Sequence, residues 1–236
     1  MFKIKIAYIL ILLVIICIFL YCNKKETFSN DKKIVLITGT TSGIGKKIIK
    51  AFDPKKFKII IHGRKCNKLN SILKRYSKTY DIEKICYDLS NKNNIYKLIN
   101  EIIVRFSKID LLINNFYDSS NISNIWYQIN TNLNNYILLT SKISYIMNPN
   151  SKIINISSGL ADSTNSNGTF IDTYSIIKVA IEKFTKIYAS KLYLDNIGVI
   201  CLKIDDSYKT PLTIKFLDNT QLKDPNQLVN VFKNLI

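Results

Sequence analysis

Tyr174 and Lys178 are two side chains with complementary acid–base chemistry, four positions apart in the sequence. A helix over this stretch would bring both side chains to one face. A phenol titrates at about pH 10, too high for a base at neutral pH, and a neighbouring ammonium favours the phenolate. We therefore expect Lys178 to lower the pKa of Tyr174. Because the chain holds 14 Tyr, an exposed helical pair is the alternative.

A glycine-rich segment follows the first apolar run and precedes a lysine-rich helical stretch. It reads Thr38-Gly39-Thr40-Thr41-Ser42-Gly43-Ile44-Gly45. Glycine lets the backbone turn tightly and approach a pyrophosphate, and the amides at the start of a helix favour an anion. A strand before the turn and a helix after it strengthen the prediction of a dinucleotide site.

The spacing Thr-Gly-x-x-x-Gly-Ile-Gly resembles that of the short-chain dehydrogenase/reductase family, and the resemblance extends from Lys33 to the region of Thr210. It implies a nicotinamide cofactor. It also implies that the Tyr exchanges a proton with the substrate oxygen during hydride transfer, and that the Lys also binds the nicotinamide ribose. The cofactor positions implied by the resemblance are Gly39, Thr41, Ser42, Gly43, Ile44, Gly45, Arg64, Asp88, Leu89, Asn115, Tyr174, Lys178 and Thr210.

The end of the second predicted strand indicates which dinucleotide is bound. Arg64 stands where NAD-binding proteins carry an acidic residue that bonds the ribose hydroxyls. Because Arg64 can pair with a 2′-phosphate, NADP(H) is favoured; a solvated loop residue is the alternative. His62, the single histidine, is expected to pack at the strand end. Asp88 and Leu89 match the family's adenine-contacting pair, and Asp88 also suits a turn or helix cap.

Two further catalytic positions follow from the resemblance. The buried strand Ile153–Ser158 ends in a serine pair where the family places the hydroxyl that holds the substrate carbonyl. Ser158 is assigned this role, with Ser157 as the less favoured choice. Asn132 best fits the family's Asn, whose backbone holds a water in the proton relay, and Asn130 is the alternative.

The sequence also departs from the family pattern. The usual Asn-Asn-Ala-Gly segment is Asn114-Asn115-Phe116-Tyr117, which places bulky side chains near the nicotinamide ribose. The loop between Ser158 and Tyr174 is longer than in most members, which costs little because loop extension is entropically cheap. The family's Pro-Gly becomes Asp205-Asp206, and carboxylates near a nicotinamide or its phosphates disfavour catalysis. The little sequence after Thr210 predicts a reduced lid.

Apolar runs alternate with longer amphipathic stretches, which is typical of buried strands separated by crossover helices. We therefore predict a Rossmann-type doubly wound parallel sheet of six to seven strands, with ligand at the carboxyl ends of the strands. Predicted strands are Ile34–Thr38, Lys58–His62, Lys84–Tyr87, Leu111–Asn114, Lys152–Ile156 and Val199–Leu202. Predicted helices begin near Ile44, Cys66, Asn91, Asn132, Thr173 and Asp224, and the main predicted loop is Gly159–Asp172.

The N-terminal segment Ile6–Cys22 carries no charge and is rich in Ile and Leu. At about 1.5 Å per residue it reaches roughly 25 Å, a short but adequate membrane span. No small-x-small cleavage site follows, so an uncleaved anchor is favoured over a signal peptide. Four lysines follow the segment and two precede it, so the positive-inside rule predicts that the following domain lies in the cytosol. A membrane like that of the endoplasmic reticulum is a separate expectation. The predicted organisation is an anchor at 1–25, a linker at 26–32 and the catalytic domain at 33–236.

The net charge of +17 raises the question of nucleic acid. The basic residues are scattered and almost all Lys, whereas base readout and bidentate phosphate contacts favour Arg, so no nucleic-acid partner is expected. The five Cys show neither metal-ligand nor disulfide spacing, so free thiols in a reducing compartment and no metal are expected.

Together these features predict an NADP(H)-dependent oxidoreductase acting on a small lipophilic alcohol or carbonyl, because such molecules partition into the bilayer that residues 6–22 enter. This substrate class rests on analogy with anchored members, similar to retinol and steroid dehydrogenases. A homodimer is a further expectation. The main rival is a nucleotide-binding pseudoenzyme or scaffold on a membrane, which Asp205-Asp206 favours. A lipid-surface tether is a third, less favoured reading.

Overall fold

A computed structural model describes residues 32–162, 169–205, 207–210, 212–213 and 222–236. The predicted anchor Ile6–Cys22 and nearly all of the linker lie outside these residues. Within the described part of the chain, every helix is too short or too polar to cross a membrane. The anchor and the three-part organisation of the chain therefore stay predictions.

The described strands form one six-stranded parallel sheet in the order β3-β2-β1-β4-β5-β6. The order reverses between β1 and β4, so the predicted doubly wound sheet is confirmed, and such sheets bind ligands at the carboxyl ends of their strands near this reversal. The strands are β1 Lys33–Ile37, β2 Phe57–Gly63, β3 Asp81–Cys86, β4 Ile109–Asn114, β5 Met147–Ser158 and β6 Gly198–Ile204.

Helices cover both faces of the sheet. The α-helices are α1 Gly43–Lys47, α2 Cys66–Tyr76, α3 Lys92–Phe106, α4 Ile125–Ile129, α5 Asn135–Ser144, α6 Thr169–Lys191 and α7 Leu228–Leu235. A π-helical turn at Asn130–Asn134 joins α4 to α5. Short 3₁₀ turns lie at Ile48–Ala51, Gly159–Asp162 and Pro225–Gln227.

Alternation of side chains along the buried strands divides the hydrophobic core into two layers. Leu36 and Ile60 point to one face, where they join the apolar sides of α3, α5 and α6. Val35 and Ile59, one position earlier on the same strands, point to the other face and join α2 and α7. Burial on both faces explains why these strands read as continuous Ile, Val and Leu runs.

Several predicted boundaries are wrong for identifiable reasons. The third strand begins at Asp81 rather than Lys84, because an edge strand tolerates polar residues that a search for apolar runs leaves out. Helical structure before α5 begins at Ile125, well ahead of Asn132. Helix α6 begins at Thr169 instead of Thr173, so the predicted loop Gly159–Asp172 includes a 3₁₀ turn and the first turn of that helix; residues 163–168 lie outside the described part.

The expectation that all cysteines are free is also wrong. Cys66 and Cys86 form a disulfide, with their Cα atoms 5.6 Å apart. Cys66 is the first residue of α2 and Cys86 is the last residue of β3. The sequence gives no spacing signal for this pair, because only the pairing of β3 with β2 brings the two positions together. Cys201 is free and partly buried.

Candidate active site

A groove with a volume of about 430 Å³ lies at the carboxyl ends of the strands. Its walls come from the ends of all six described strands and the segments that follow them, which is why residues far apart in sequence meet there. Of the residues expected to bind a cofactor or act in catalysis, those lining the groove are Gly39, Thr41, Ser42, Gly43, Ile44, Arg64, Asp88, Leu89, Asn115, Ser158, Tyr174, Lys178 and Thr210. Gly45 and Asn132 lie behind the groove surface and support it.

The glycine-rich turn is packed tightly against the segment after β4. Gly39 has a φ of +71°, and a Cβ there would lie 2.8 Å from the Phe116 Cα. A Cβ on Gly45 would lie 2.5 Å from the Gly39 carbonyl oxygen, so neither position has room for a side chain. The Asn115 side chain donates hydrogen bonds to the carbonyl oxygens of Thr38 (3.0 Å) and Gly39 (3.2 Å), which fixes the turn. The backbone itself therefore forms this wall of the groove.

Lys178 projects from α6 into the groove, and its Nζ donates a 2.8 Å hydrogen bond to the Ile156 carbonyl oxygen. Burial lowers the pKa of Lys178 to about 8, although the nearby Cys201 and Glu182 raise it. The Nζ lies 5.5 Å from the centre of the Tyr174 ring. Both residues thus share one face of α6, as the four-residue spacing predicts.

The expected effect of Lys178 on Tyr174 is not what the structure shows. Burial raises the pKa of Tyr174 above its usual value, and a hydrogen bond with Ser158 only partly offsets this increase. Tyr174 is partly exposed and lines the groove, and the protein atoms around its hydroxyl disfavour the charged phenolate. Desolvation of the phenolate outweighs any stabilisation by the ammonium. The phenol is therefore protonated at neutral pH.

The two serines at the end of β5 have different surroundings. Ser158 bonds to Tyr174, and its Oγ also accepts a 3.3 Å hydrogen bond from the Leu160 amide. Ser157 donates a 2.7 Å hydrogen bond to Glu182 on α6. The hydroxyl beside the phenol is therefore that of Ser158. We call Ser158, Tyr174 and Lys178 the Tyr174 end of the groove.

Asn132 lies in the π-helical turn with its side chain buried, whereas Asn130 is exposed. The Asn132 Oδ1 accepts a 2.7 Å hydrogen bond from the Asp118 amide, and its Nδ2 donates to the Asp118 carbonyl oxygen (2.9 Å) and to Gln128 (2.9 Å). A π-helical turn also alters the regular pattern of backbone hydrogen bonds. The Asn132 side chain thus anchors the segment after β4.

This segment, Phe116–Ser120, carries the bulky residues that replace the family's small ones. Phe116 is buried and stacks on Tyr136, with 5.6 Å between ring centres. Tyr117 lies edge to face with Tyr174, 4.9 Å between ring centres, and donates a 3.0 Å hydrogen bond to Gln128. The groove wall beside the Tyr174 hydroxyl is therefore aromatic.

Arg64 forms an ion pair that sequence reasoning missed. Its Nη1 donates a 2.7 Å hydrogen bond to the Oδ2 of Asp118. Burial favours the neutral acid, but hydrogen bonds from the Ser120 amide and from the Tyr127 and Ser120 hydroxyls, together with the charge of Arg64, lower the pKa of Asp118. We call Arg64, Asp88 and Asp118 the Arg64 end of the groove.

Comparison with known proteins assigns this arrangement to a family. The sequence model of the short chain dehydrogenases matches residues 33–217, most of the chain. The chain belongs to the short-chain dehydrogenase family. No protein with a curated functional description matches the sequence.

Solved structures share the short-chain dehydrogenase fold at low sequence identity. The RhlG/NADP complex of Pseudomonas aeruginosa superposes with a TM-score of 0.76 at 19% identity, covering 86% of this chain and 88% of the other. A Burkholderia cenocepacia short chain dehydrogenase in complex with NADP gives 0.75 at 17%, covering 85% and 88%. An actinorhodin polyketide ketoreductase variant with NADPH gives 0.72 at 18%, covering 88% and 91%.

His62 lies in the wall of this short-chain dehydrogenase groove and is fully enclosed. Its Nε2 is 3.0 Å from the Tyr87 carbonyl oxygen, to which it donates, while the Nδ1 has no hydrogen-bond partner among the described residues. Burial lowers the pKa of His62 to about 4, despite the opposing effects of Tyr87 and Asp88. The imidazole is therefore neutral at physiological pH.

The segment after β6 contains the residues that replace the family's Pro-Gly. Asp205 is exposed and lies against Gly159, where a Cβ would be 3.0 Å from the Asp205 Cα. Asp206 lies outside the described residues. Thr210 lines the groove, and its amide donates a 2.9 Å hydrogen bond to the Thr213 hydroxyl.

Proposed function

We propose that this short-chain dehydrogenase family member is an NADP(H)-dependent oxidoreductase that reduces a carbonyl or oxidises an alcohol. The convergence of Ser158, Tyr174 and Lys178 at one end of the groove carries this proposal. The three side chains come from β5 and α6, and a protonated phenol lies beside a second hydroxyl. This combination suits proton transfer to a carbonyl oxygen.

The residues of the groove fit a dinucleotide. Gly39 and Gly45 have no room for side chains, so the turn packs closely against the segment after β4, and Gly39 and Gly43 line the groove, which suits the close approach of a pyrophosphate. Arg64, Lys65 and Lys68 line the groove after β2, where they would meet a 2′-phosphate. Asp88 and Leu89 would border the adenine. The NADP and NADPH complexes among the similar structures support the same assignment.

Ser158, Tyr174 and Lys178 each have a distinct role in the proposed reaction. When bound, the reduced nicotinamide supplies the hydride to the carbonyl carbon. Ser158 would hold the carbonyl oxygen by a hydrogen bond, and Tyr174 would donate its proton to that oxygen as the alcohol forms. Because burial raises the pKa of Tyr174, the phenol carries at neutral pH the proton that this step requires. Lys178, with a pKa of about 8, is mostly charged at pH 7 and would hold the ribose.

We further propose that the substrate is lipophilic and that the protein acts at a membrane. The uncharged segment Ile6–Cys22 with flanking lysines supports a single-pass anchor. The excess of lysines after this segment supports a catalytic domain on the cytosolic side of the membrane. Alkaline carbonate extraction and N-terminal sequencing test the anchor. Release into the soluble fraction, or a mature N-terminus beyond Cys22, would contradict it. A homodimer stays a prediction, as does the absence of a nucleic-acid partner.

The cofactor assignment is tested by binding NADPH and NADH to the purified protein. Arg64→Asp should weaken NADPH binding much more than NADH binding, because it replaces a cation by a carboxylate. Equal affinity of the unaltered protein for the two dinucleotides would contradict the assignment. The substrate class is tested by NADPH oxidation across a panel of lipophilic ketones and aldehydes, with short polar carbonyls as the matched control.

A nucleotide-binding protein without catalysis is the second candidate. The aromatic ring of Tyr117 against Tyr174 and the carboxylate of Asp205 near the family's Pro-Gly position favour it. NADPH binding without any turnover on the panel would make this candidate the better one.

A further inference from the structure

The Arg64–Asp118 ion pair joins two edges of the groove. Arg64 follows β2 and Asp118 follows β4, and both strands are neighbours of β1, which leads into the glycine-rich turn. The pair therefore connects the segments on either side of that turn. Both residues line the same groove as the turn.

The Asp118 carboxylate is held in place from several sides. Its side chain is only 8% exposed, and it accepts hydrogen bonds from the Tyr127 hydroxyl (2.7 Å) and from the Ser120 amide (2.9 Å) and hydroxyl (2.8 Å). Asn132 fixes its backbone on both the amide and the carbonyl side. The carboxylate is therefore held in place as an ionised partner, whereas the Arg64 side chain is 39% exposed and open to another anion.

A carboxylate and a phosphate compete for the same guanidinium. The Arg64–Asp118 pair carries no net charge, so a 2′-phosphate would meet a neutralised arginine with a fixed anion beside it. One N–H of the guanidinium fork is already used, which leaves fewer donors for a bidentate phosphate contact. NADH has no group at this position that would be repelled in the same way.

We propose that Asp118 is a cofactor-selectivity residue, which competes with the 2′-phosphate for Arg64 and thereby limits the preference for NADPH over NADH. This inference rests on the proposed function. Lys65 and Lys68, which also line the groove, supply the positive charge that keeps NADPH the favoured cofactor. The protein then binds NADPH more weakly than it would with a neutral side chain at position 118.

The test compares dissociation constants for NADPH and NADH in four proteins: unaltered, Asp118→Asn, Arg64→Gln and the double variant. Asp118→Asn keeps the shape and an acceptor oxygen but removes the charge. It should tighten NADPH about tenfold, corresponding to about 1.4 kcal/mol, and leave NADH nearly unchanged. In the Arg64→Gln background the gain should disappear, because the competed cation is absent. Asp53→Asn, which removes an exposed carboxylate near the start of β2, is the matched control and should change neither constant.

Two outcomes would overturn the inference. Weaker NADPH binding in Asp118→Asn would mean that Asp118 orients Arg64 for the phosphate, and an equal change for both dinucleotides would mean a general effect on the groove. Asp118→Ser provides the same comparison if the Asn variant does not fold, and 2′,5′-ADP against 5′-AMP isolates the phosphate contribution. Failure of the unaltered protein to bind either dinucleotide would instead contradict the proposed function.

Discussion

The Tyr174 end of the groove takes two of its three side chains from one helix, whereas the Arg64 end joins segments after three different strands. At the Tyr174 end, burial sets the protonation of Tyr174 and Lys178. At the Arg64 end, an ion pair connects segments that follow β2 and β4, and a disulfide ties the start of α2 to the end of β3. In the proposed function, the first end carries the chemistry and the second selects and holds the cofactor.

The largest expected effect concerns Lys178, at the Tyr174 end of the groove. Lys178→Ala should lower turnover by about two to four powers of ten and also weaken NADPH binding, because the proposed role of this ammonium is to hold the ribose beside the Tyr174 phenol. Steady-state kinetics and a binding titration measure the two effects. Lys186→Ala, at an exposed position on the same helix, is the control. Comparable losses in both variants would show that α6 contributes only as a scaffold.

The disulfide provides a test of stability at the Arg64 end. Cys66→Ser should lower the free energy of unfolding by about 3 kcal/mol, since a loop of this size loses its cross-link in the unfolded state. Denaturant titration under non-oxidising and oxidising conditions measures this loss, and turnover at saturating NADPH should change little. Cys201→Ser, which alters a free thiol, is the control. An unchanged unfolding midpoint would show that Cys66 and Cys86 are not bonded in solution.

A smaller effect concerns the pH dependence of stability that arises from His62, two residues before Arg64. The pKa of His62 is about 4 in the folded protein, against an ordinary value of 6.5. The unfolded chain takes up the proton first as pH falls, so stability should decrease from pH 6.5 to about 4, and this group should cause no further loss below that. Because the chain has a single histidine, one imidazole signal in an NMR titration gives the pKa directly. A midpoint near 6.5 would contradict the buried, neutral imidazole.

Features set by short spacing could be predicted from the sequence, and features set by tertiary contact could not. The glycine-rich turn and the Tyr174–Lys178 pair each lie within one local segment, and the apolar runs marked most strands. The Arg64–Asp118 pair spans 54 positions and follows from strand order, so no local pattern indicates it. Once the sheet order is predicted, Arg64 after β2 and Asp118 after β4 are expected at the same edge of the sheet. Their opposite charges are the signal that could have indicated this ion pair.

The direction of the pKa shift of Tyr174 is a second feature that the sequence did not predict correctly. The spacing of Tyr174 and Lys178 predicted an ammonium that lowers the pKa of the phenol. Burial is not visible in a four-residue spacing, and it raises that pKa instead. The bonding of Cys66 to Cys86 was missed for a similar reason, because two strands must pair before those residues meet.

The most direct test of the central claim is hydride transfer that depends on the Tyr174 phenol. The purified protein is incubated with NADPH deuterated at C4 and the carbonyl panel, and mass spectrometry measures deuterium in the alcohol product. The unaltered protein should transfer deuterium, and Tyr174→Phe should slow the transfer by about two to four powers of ten while NADPH affinity changes little. NADPH binding without deuterium transfer, or transfer that is equally fast in Tyr174→Phe, would contradict the proposed oxidoreductase mechanism.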